Sequence, residues 1–409
     1  MPKPNKKKIF NDPIYGFITI NHTIIFDLIE HPYFQRLRRI KQLGLTHLVY
    51  PGALHTRFHH ALGTMHLMGQ AIEVIRSKGH TITEKEAEGV SIAILLHDIG
   101  HGPFSHALEH SIVNGISHEE ISTLFMDELN KKFKGKLDLA LKIFRNKYHK
   151  KFLYQLVSSQ LDMDRIDYLR RDSFYSGVSE GVVNTDRIIT MLNVKNDELA
   201  IDEKGIYSIE NFIIARRLMY WQVYLHKTVL SAENLSVNIL KRAKELALIG
   251  EELFCSPALH EFLYNKHNLQ SFKKNPKLLS VFAELDDIDI MGAIKVWVNH
   301  SDKTLSKLCK MIINRDLYKI KLQKKKFEKS EIDTAFSTIK SKFKLTDNET
   351  SYFVFQDHIT NNAYNPKMDK INILFKNGKM LDIKEAADTF NISALSTPVK
   401  KWFLCFPKH

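Results

Sequence analysis

Residues 97–106 have the sequence His-Asp-Ile-Gly-His-Gly-Pro-Phe-Ser-His, which places three imidazoles and a carboxylate close together. They follow an apolar run, Val90–Leu96, that is typical of a buried helix. Thr83 and Glu86 have the spacing of a capping box that begins this helix, and Gly100 is a residue that commonly ends one. Imidazole and carboxylate side chains bind Zn, Fe, Mn or Ni, and carboxylates also suit Mg. We therefore predict a metal site at the end of a buried helix; the alternative is a surface loop that is rich in histidine.

The composition is that of a globular protein. The chain has 409 residues, of which 44% are hydrophobic and 26% charged, enough for two or three folding units. Its longest apolar runs are too short to cross a bilayer, so we expect no membrane association. The first residues lack the apolar stretch of a secretory signal. Cys255, Cys309 and Cys405 are too few and too far apart for a disulfide framework or a cysteine zinc site, so we expect a soluble, cytoplasmic protein.

Positive charge exceeds negative charge. The sequence has 59 Lys and Arg against 46 Asp and Glu, a net charge of +13 that favours anionic ligands. Part of the excess lies in Lys6–Lys8 and Lys324–Lys326, which can be a solvated tail and linker. Arginines are interleaved with the histidine-rich half, and because guanidinium groups match phosphate oxygens we expect a phosphorylated substrate; for any one arginine, an ordinary ion pair is the alternative. They are Arg36, Arg38, Arg39, Arg57, Arg165, Arg170, Arg171, Arg216 and Arg217.

Residues 1–240 have the apolar periodicity of helices, and residues 240–315 continue it. After Asp316 short apolar segments predict strands, and Asn377-Gly378 predicts a hairpin of type I′ character. We therefore predict a mainly α protein, with a helical domain at residues 1–315 and a small α+β domain at residues 316–409. The helices expected are His60–Ile75, His118–Leu129, Leu153–Leu169 and Glu210–Leu230, and the strands are Leu317–Leu322, Tyr352–Gln356, Ile371–Phe375 and Trp402–Phe406.

Two other segments carry side chains that can bind metal. His59 and His60 stand at the beginning of one predicted helix, and Asp162, Asp164 and Asp167 lie near the start of another. Aspartates in a first helical turn also stabilise the helix dipole, so the residues alone leave both roles open.

Several motifs together resemble a known family. His60, His97-Asp98 and Asp164 match, in order, the H…HD…D signature of the HD-domain metal-dependent phosphohydrolases. Further segments, between residues 8 and 230, resemble the dNTP triphosphohydrolase branch of that family. They are Phe10–Gly16, Pro32–Arg38, Lys41–Gly44, Tyr50–Gly52, Arg57–His60, His97–His106, Asp164–Tyr168, Arg171-Asp172 and Tyr224–Lys227. The resemblance implies an HD/PDEase-like helical core that holds the metal and nucleotide site.

The resemblance implies roles for individual residues. Tyr224 would pack beneath the sugar and exclude a 2′-hydroxyl, although its apolar neighbours and those of Tyr168 also allow core packing. One divalent ion, with Mn, Fe, Mg, Zn, Ni and Co not distinguished, would be bound by His60, His97, Asp98 and Asp164. Catalytic groups near the reacting phosphate would be His101, His106, Glu109 and His118. Substrate contacts would come from Gln42, Arg57, Arg165, Tyr168, Asp172, Arg216 and Tyr224.

The activity implied by the resemblance is hydrolysis of a dNTP to a deoxynucleoside and inorganic triphosphate. The alternatives are another HD phosphohydrolase, acting on a nucleoside monophosphate, a cyclic nucleotide or an alarmone, and a nucleic-acid-binding regulator with a residual metal site. A homo-oligomer, dimer or tetramer, with an activator nucleotide at a subunit interface is also implied. Glu30 stands where the family's guanine-binding activator pocket has an aspartate. The basic chain could in addition bind nucleic acid weakly and non-specifically.

Overall fold

Helices make up most of the protein and share one continuous apolar core, as the sequence predicts. The computed structural model describes residues 8–104, 115–366, 369–388, 392 and 397–408. No helix in these ranges is long and apolar enough to cross a membrane. The described helices are α1 (Thr23–Glu30), α2 (Pro32–Gln35), α3 (Arg57–Ser77), α4 (Glu84–Leu96), α5 (His118–Lys132), α6 (Asp138–Phe144), α7 (Lys151–Val157), α8 (Met163–Ser176), α9 (Thr185–Thr190), α10 (Ile206–Met219), α11 (Lys227–Leu248), α12 (Pro257–Tyr264), α13 (Leu269–Lys274), α14 (Lys277–Glu284), α15 (Asp287–Trp297), α16 (Lys303–Ile313), α17 (Lys329–Phe343), α18 (Asp347–Thr350) and α19 (Ile383–Ala386).

The strands form three small sheets. β1 and β2 make an antiparallel hairpin, the second sheet has the order β3-β4-β7-β8, and the third has the order β5-β9-β6. The strands are β1 (Lys8–Asp12), β2 (Gly16–Ile20), β3 (Leu192–Lys195), β4 (Glu198–Asp202), β5 (Lys319–Gln323), β6 (Phe355–Asn361), β7 (Asn372–Leu374), β8 (Met380–Asp382) and β9 (Val399–Phe406).

The long helix α3 lies at the centre of the helical part. It packs against α4 and against α8, and its own side chains are mostly buried. Thr83 and Glu86 form the predicted capping box at the start of α4, and the helix ends at Leu96, directly before His97. The ends of α3, α4 and α8 are therefore brought to one region.

The predicted helix Leu153–Leu169 is wrong, because the chain breaks into α7 and α8. The Asp162 carboxylate accepts hydrogen bonds from the backbone N–H groups of Ser159, at 2.7 Å, and Arg165, at 2.7 Å. Asp162 is thus the N-cap of α8, a role for which aspartate is strongly preferred. Because of this break, α8 starts at Met163 and has Asp164 in its first turn.

The predicted helix Glu210–Leu230 is also interrupted. After α10 the residues Tyr220–Tyr224 form a π-helical turn, and α11 begins afresh at Lys227. The imidazole of His226 caps α11 by accepting a hydrogen bond from the Thr228 N–H at 3.2 Å. Such wide turns are frequent at functional sites.

The C-terminal region contains the predicted strands, with shifted ends. Tyr352 and Phe353 lie in a turn, and β6 begins only at Phe355. β7 and β8 form the predicted hairpin, but only Gly378 of the Asn-Gly pair has a positive φ, 82°, whereas a type I′ turn needs positive φ at both residues.

One pairing crosses the predicted domain boundary. β7 lies parallel to β4, with Ile373 opposite Ile201. The C-terminal region thereby extends a sheet that the helical region begins. The division at residue 315 into two folding domains stays a prediction.

Glu86 does more than cap its own helix. Its buried carboxylate accepts hydrogen bonds from the Thr83 N–H at 2.8 Å and from the Tyr148 hydroxyl at 2.8 Å, and it pairs with the Lys150 ammonium at 2.8 Å. Burial alone would raise the pKa of Glu86, but these donors lower it to about 2. The carboxylate thus links the start of α4 to the segment that precedes α7.

Replacing Glu86 with Gln should lower the free energy of unfolding at pH 7 by about 1–3 kcal/mol, since charge-assisted hydrogen bonds are lost. Because the folded pKa is depressed, this stabilisation is present above the unfolded pKa of about 4.3 and disappears as the pH falls toward 2. Urea unfolding at pH 7 and at pH 3 measures the difference. The control is Glu84→Gln, an exposed acid of the same turn that pairs with Arg76 and should matter little. Equal stability of Glu86→Gln and wild type at pH 7 would contradict this account.

Candidate active site

Three side chains from three helices converge on one point. The Nε2 atom of His60, in the first turn of α3, is 3.1 Å from Oδ1 of Asp164 in the first turn of α8. The Nε2 atom of His97, directly after α4, is 3.6 Å from the same oxygen. These three residues form a group whose ligand atoms all lie within 4.8 Å of one another.

Both imidazoles are fixed by their other nitrogen. Nδ1 of His60 is 2.7 Å from the Asp167 carboxylate, and Nδ1 of His97 is 2.6 Å from the Ile94 carbonyl oxygen. Within the part of the chain that the structure describes, the two Nε2 atoms are buried and make no well-aligned hydrogen bond, although Asp164 lies within ion-pair distance of both. Such an arrangement turns the Nε2 lone pairs toward a common point, and it is the one that metal-binding histidines adopt. The residues present therefore fit a divalent metal ion.

Asp98, the fourth predicted ligand, lies beside this group. Its Oδ1 is 3.3 Å from Nε2 of His97, and its Oδ2 is 3.7 Å from Nε2 of His60. Oδ2 also accepts a hydrogen bond from the Arg57 guanidinium, and Oδ1 is 3.4 Å from Nε2 of His101. Asp98 is thus placed between the predicted metal ligands and the predicted catalytic histidine.

The electrostatics favour positive charge at this point. Burial alone would lower the pKa of His60, but Asp164 and Asp167 raise it to about 10. Burial would raise the pKa of Asp164, yet the two imidazoles hold it below its usual range. A cluster that binds a proton this tightly is equally suited to a cation.

A buried ion pair holds the carboxylate that orients His60. The Arg171 guanidinium donates hydrogen bonds to Asp167 from Nε at 2.9 Å and from Nη2 at 3.0 Å. Its Nη1 donates to Asp12 of β1 at 2.8 Å. Gly63 of α3 faces this pair so closely that a Cβ atom there would lie 2.1 Å from Oδ1 of Asp167. A side chain at position 63 would displace the group that orients His60.

Two of the four predicted catalytic residues, His101 and His118, lie in the described part of the chain. The rings of His101 and His118 are stacked with centroids 3.9 Å apart, and Asp98, His101 and His118 form a second group of ligand-type atoms within 4.8 Å. Burial, followed by the charge of Arg57, holds the pKa of His101 well below its usual range, so the ring is neutral. His106 and Glu109 lie outside the described residues.

Arg36 holds the backbone of the histidine-rich loop. Its buried guanidinium donates to the carbonyl oxygens of Ile99 at 3.0 Å, His101 at 2.8 Å and Leu285 at 3.3 Å. Arg36 and Arg171 therefore have structural contacts, and the expectation that arginines of this half bind phosphate does not hold for these two.

A cavity of about 520 Å³ opens onto the metal-type cluster. It is lined by Gln42, Arg57, Arg165, Tyr168, Asp172 and Tyr224, which are six of the seven predicted substrate contacts, and by His97, Asp98, His101, His118 and Asp164. The seventh, Arg216, is not among the described residues that line it; Nη1 of Arg216 instead donates to Gln160 at 3.2 Å.

Two partners hold the Asp172 carboxylate in the cavity lining. It accepts a hydrogen bond from the Tyr224 hydroxyl at 2.7 Å, and its other oxygen is 2.8 Å from Nε2 of His55. The His55 ring stacks on Tyr175 with centroids 4.4 Å apart. Sequence reasoning missed His55, since its partner is far along the chain and no local spacing links the two.

Comparison with known proteins identifies the family. The model described as "HD domain" matches residues 57–172, and "HD associated region" matches residues 183–254. A Bacillus subtilis protein, YwfO, is 33% identical over 395 residues, which cover 93% of this chain and 88% of that protein. The chain belongs to the HD-domain phosphohydrolase family. The resemblance predicted from the motifs is thereby confirmed.

Two further relatives of this HD-domain protein bear descriptive names. A solved structure described as a phosphohydrolase, from Bacteroides thetaiotaomicron, is 53% identical, has a TM-score of 0.95, and covers 98% of this chain and 100% of that chain. The deoxynucleoside triphosphate triphosphohydrolase SAMHD1 homolog of Dictyostelium discoideum is 33% identical over 265 residues, 60% of this chain and 51% of that protein. The fold is thus shared with a phosphohydrolase over its whole length.

Replacing Asp167 with Asn should weaken metal binding to this HD-domain protein by about 10–100-fold, because the His60 ring loses the partner that fixes its orientation. Calorimetric titration of the metal-free protein with Mn²⁺ measures the change, and circular dichroism checks that the variant is folded. Asp186→Asn, an exposed carboxylate on α9, is the control and should bind as the wild type does. Wild-type affinity in folded Asp167→Asn would refute the proposed role.

Proposed function

We propose that this HD-domain phosphohydrolase is a metal-dependent deoxynucleoside triphosphate triphosphohydrolase. The observation that carries the proposal is the composition of the cavity that opens onto the metal-type cluster. An imidazole–carboxylate cluster, two arginines and a group of sugar-type contacts line it together. Relatives that are 33% and 30% identical to this chain are named dNTP triphosphohydrolases, which supports the same conclusion.

The proposed metal ligands are His60, His97, Asp98 and Asp164. A divalent ion held there supplies a Lewis acid and lowers the pKa of water, as hydrolysis at phosphorus requires. Imidazole donors suit Zn, Fe, Ni and Co, and carboxylate donors also suit Mn and Mg.

The phosphate end of the cavity is proposed to use Arg57 and Arg165. The Arg57 guanidinium pairs with Asp98, and Arg165 pairs with Asp162, so each is held with its cation at the cavity wall. Guanidinium groups at this place neutralise the charge of a triphosphate and orient it toward the metal-type cluster. Arg216 is proposed as a further contact that would have to leave Gln160.

Proton transfer is proposed for the stacked histidine pair. His101 is neutral because burial and Arg57 hold its pKa well below its usual range, so its ring can accept a hydrogen bond from an attacking water. His118 stacks on this ring, with centroids 3.9 Å apart, and fixes its position. Protonation of the leaving oxygen by His106, oriented by Glu109, stays a prediction.

The sugar end is proposed to use Gln42, Tyr168, Asp172 and Tyr224. Asp172 can accept a hydrogen bond from a 3′-hydroxyl, since His55 and Tyr224 already fix its two oxygens. The Tyr168 and Tyr224 rings meet edge to face, with centroids 6.0 Å apart, and form a rigid wall. A ring beneath the sugar leaves no room for a 2′-hydroxyl and would favour deoxynucleotides.

Assembly and regulation stay predictions. They comprise a homo-oligomer and an activator nucleotide at a subunit interface. Glu30, the last residue of α1, is the position at which the sequence departs from the family's activator pocket. Weak nucleic-acid binding through the basic surface and a cytoplasmic location are likewise untested expectations.

The reaction itself can be tested with the purified protein. Each dNTP and NTP is incubated with Mn²⁺, Mg²⁺, Co²⁺ or Fe²⁺, and the products are separated by chromatography. We expect a deoxynucleoside and inorganic triphosphate. Release of pyrophosphate or orthophosphate would exclude the proposed reaction, and a tenfold preference for a nucleoside monophosphate would favour the other HD phosphohydrolases.

Replacing His97 with Ala should abolish hydrolysis, because a metal ligand is lost, while the salt-dependent affinity for nucleic acid stays as in the wild type. A chelator should abolish the wild-type activity too, and added metal should restore it in the wild type but not in the variant. His149→Ala, an exposed histidine, is the control. Loss of hydrolysis and nucleic-acid binding together would show that the two activities share a site.

Replacing Tyr224 with Ala should raise the rate of NTP hydrolysis relative to dNTP hydrolysis, since the ring that blocks the 2′-hydroxyl is removed. Tyr224→Phe keeps the ring and loses only the hydrogen bond to Asp172, so it should keep most of the sugar preference. The ratio of kcat/KM for dGTP and GTP measures both. An unchanged ratio in Tyr224→Ala would contradict this role.

A further inference from the structure

We infer that the Glu233 carboxylate recognises the base of the bound nucleotide and selects guanine; this inference rests on the proposed function. Glu233 is on α11, and it lines the cavity that also holds the metal-type cluster. No part of the proposed reaction uses it.

The helix that carries Glu233 packs beside one of the proposed sugar contacts. α11 packs against the turn Tyr220–Tyr224 and against the turn Thr46–Leu48. Tyr224 and Thr46 from these turns, and Leu225 directly after the first turn, line the cavity with Glu233. The metal-type ligands come instead from α3, α4 and α8.

Within the described ranges, the Glu233 carboxylate is unpaired. Among the described residues, neither a hydrogen bond nor an ion pair reaches it, and burial is the single cause that raises its pKa, to about 7. Glu86, by contrast, has three donors and a lowered pKa. Glu233 is half-buried and lines a cavity, so its carboxylate is only partly hydrated, and a donor supplied by a ligand would be favoured there.

The ligand group that meets Glu233 is the base. Phosphates carry the same charge as the carboxylate, which disfavours them beside Glu233, and they are attracted to Arg57 and Arg165 of the same lining. The sugar is proposed to be held by Tyr168 and Asp172. The base is the remaining part of a nucleotide, and the apolar side chains of Leu43 and Leu225 can enclose its faces.

The chemistry of an ionised carboxylate selects among the bases. It has only acceptors, and guanine presents two adjacent donors, N1–H and the N2 amino group. Adenine and cytosine offer one amino group beside a ring nitrogen acceptor that repels the second oxygen. Thymine offers N3–H between two carbonyl oxygens, which repel both. A site built around an unpaired acceptor discriminates against ligands that leave it unpaired.

The test compares kcat/KM for the four dNTPs at pH 8, where the carboxylate is ionised. We expect dGTP to be preferred by about 10-fold or more, the discrimination of a good bidentate pair. Glu233→Gln should reduce this preference to about 3-fold or less, because an amide has both a donor and an acceptor and can pair with every base. Glu251→Gln, an exposed acid just after α11, is the control.

Two results would overturn the inference: no preference for dGTP in the wild type, or an unchanged preference in Glu233→Gln. Calorimetric binding of the four dNTPs to the metal-free protein separates this inference from the reaction. Selective dGTP binding without hydrolysis would refute the proposed reaction and support Glu233. Hydrolysis without base preference would refute only the role of Glu233, and absence of both binding and hydrolysis would refute both.

Discussion

The carboxylate of Asp167 is the group on which the site depends most. It lies fully buried between the guanidinium of Arg171 and the imidazole of His60. Two buried charges are tolerated only if their hydrogen bonds are complete, and Arg171 completes its own through Asp12. The Asp167–Arg171 pair thereby joins the N-terminal hairpin, α3 and α8, and Asp167 also determines which nitrogen of His60 faces the cluster with His97 and Asp164.

The cavity lining combines three kinds of chemistry. Imidazoles and carboxylates surround a point suited to a cation, and arginines belong to the same lining. Hydroxyl and carboxylate groups are fixed by mutual hydrogen bonds. Apolar side chains and the acid Glu233 complete the lining. A nucleoside triphosphate has the same kinds of chemical parts, so one ligand can match all three.

The sequence indicated which ligand-type side chains converge better than it indicated the ends of the helices that carry them. His97 stood out because helix caps and apolar periodicity are local signals, whereas Asp164 could equally have served the helix dipole and became a candidate ligand through the family resemblance. Apolar periodicity over Leu153–Leu169 predicted one helix across the break before α8, although the aspartates from Asp162 onward already indicated a helix start there. His55 and Glu233 carry no local signal at all. The role of His55 depends on Asp172, which is 117 residues away, and that of Glu233 on the absence of a partner.

The parallel pairing of β4 with β7 has a consequence for synthesis of the chain. The Asn372 side chain bonds the Leu199 carbonyl oxygen across 173 residues. At the rate of ribosomal synthesis, β4 is therefore made roughly 10–35 s before β7, and one of its edges is unpaired during that time. Exposed edges invite pairing with other chains, and charged residues discourage it. Glu198 and Asp202, at the two ends of β4, stand where such protection is needed while the protein is still on the ribosome.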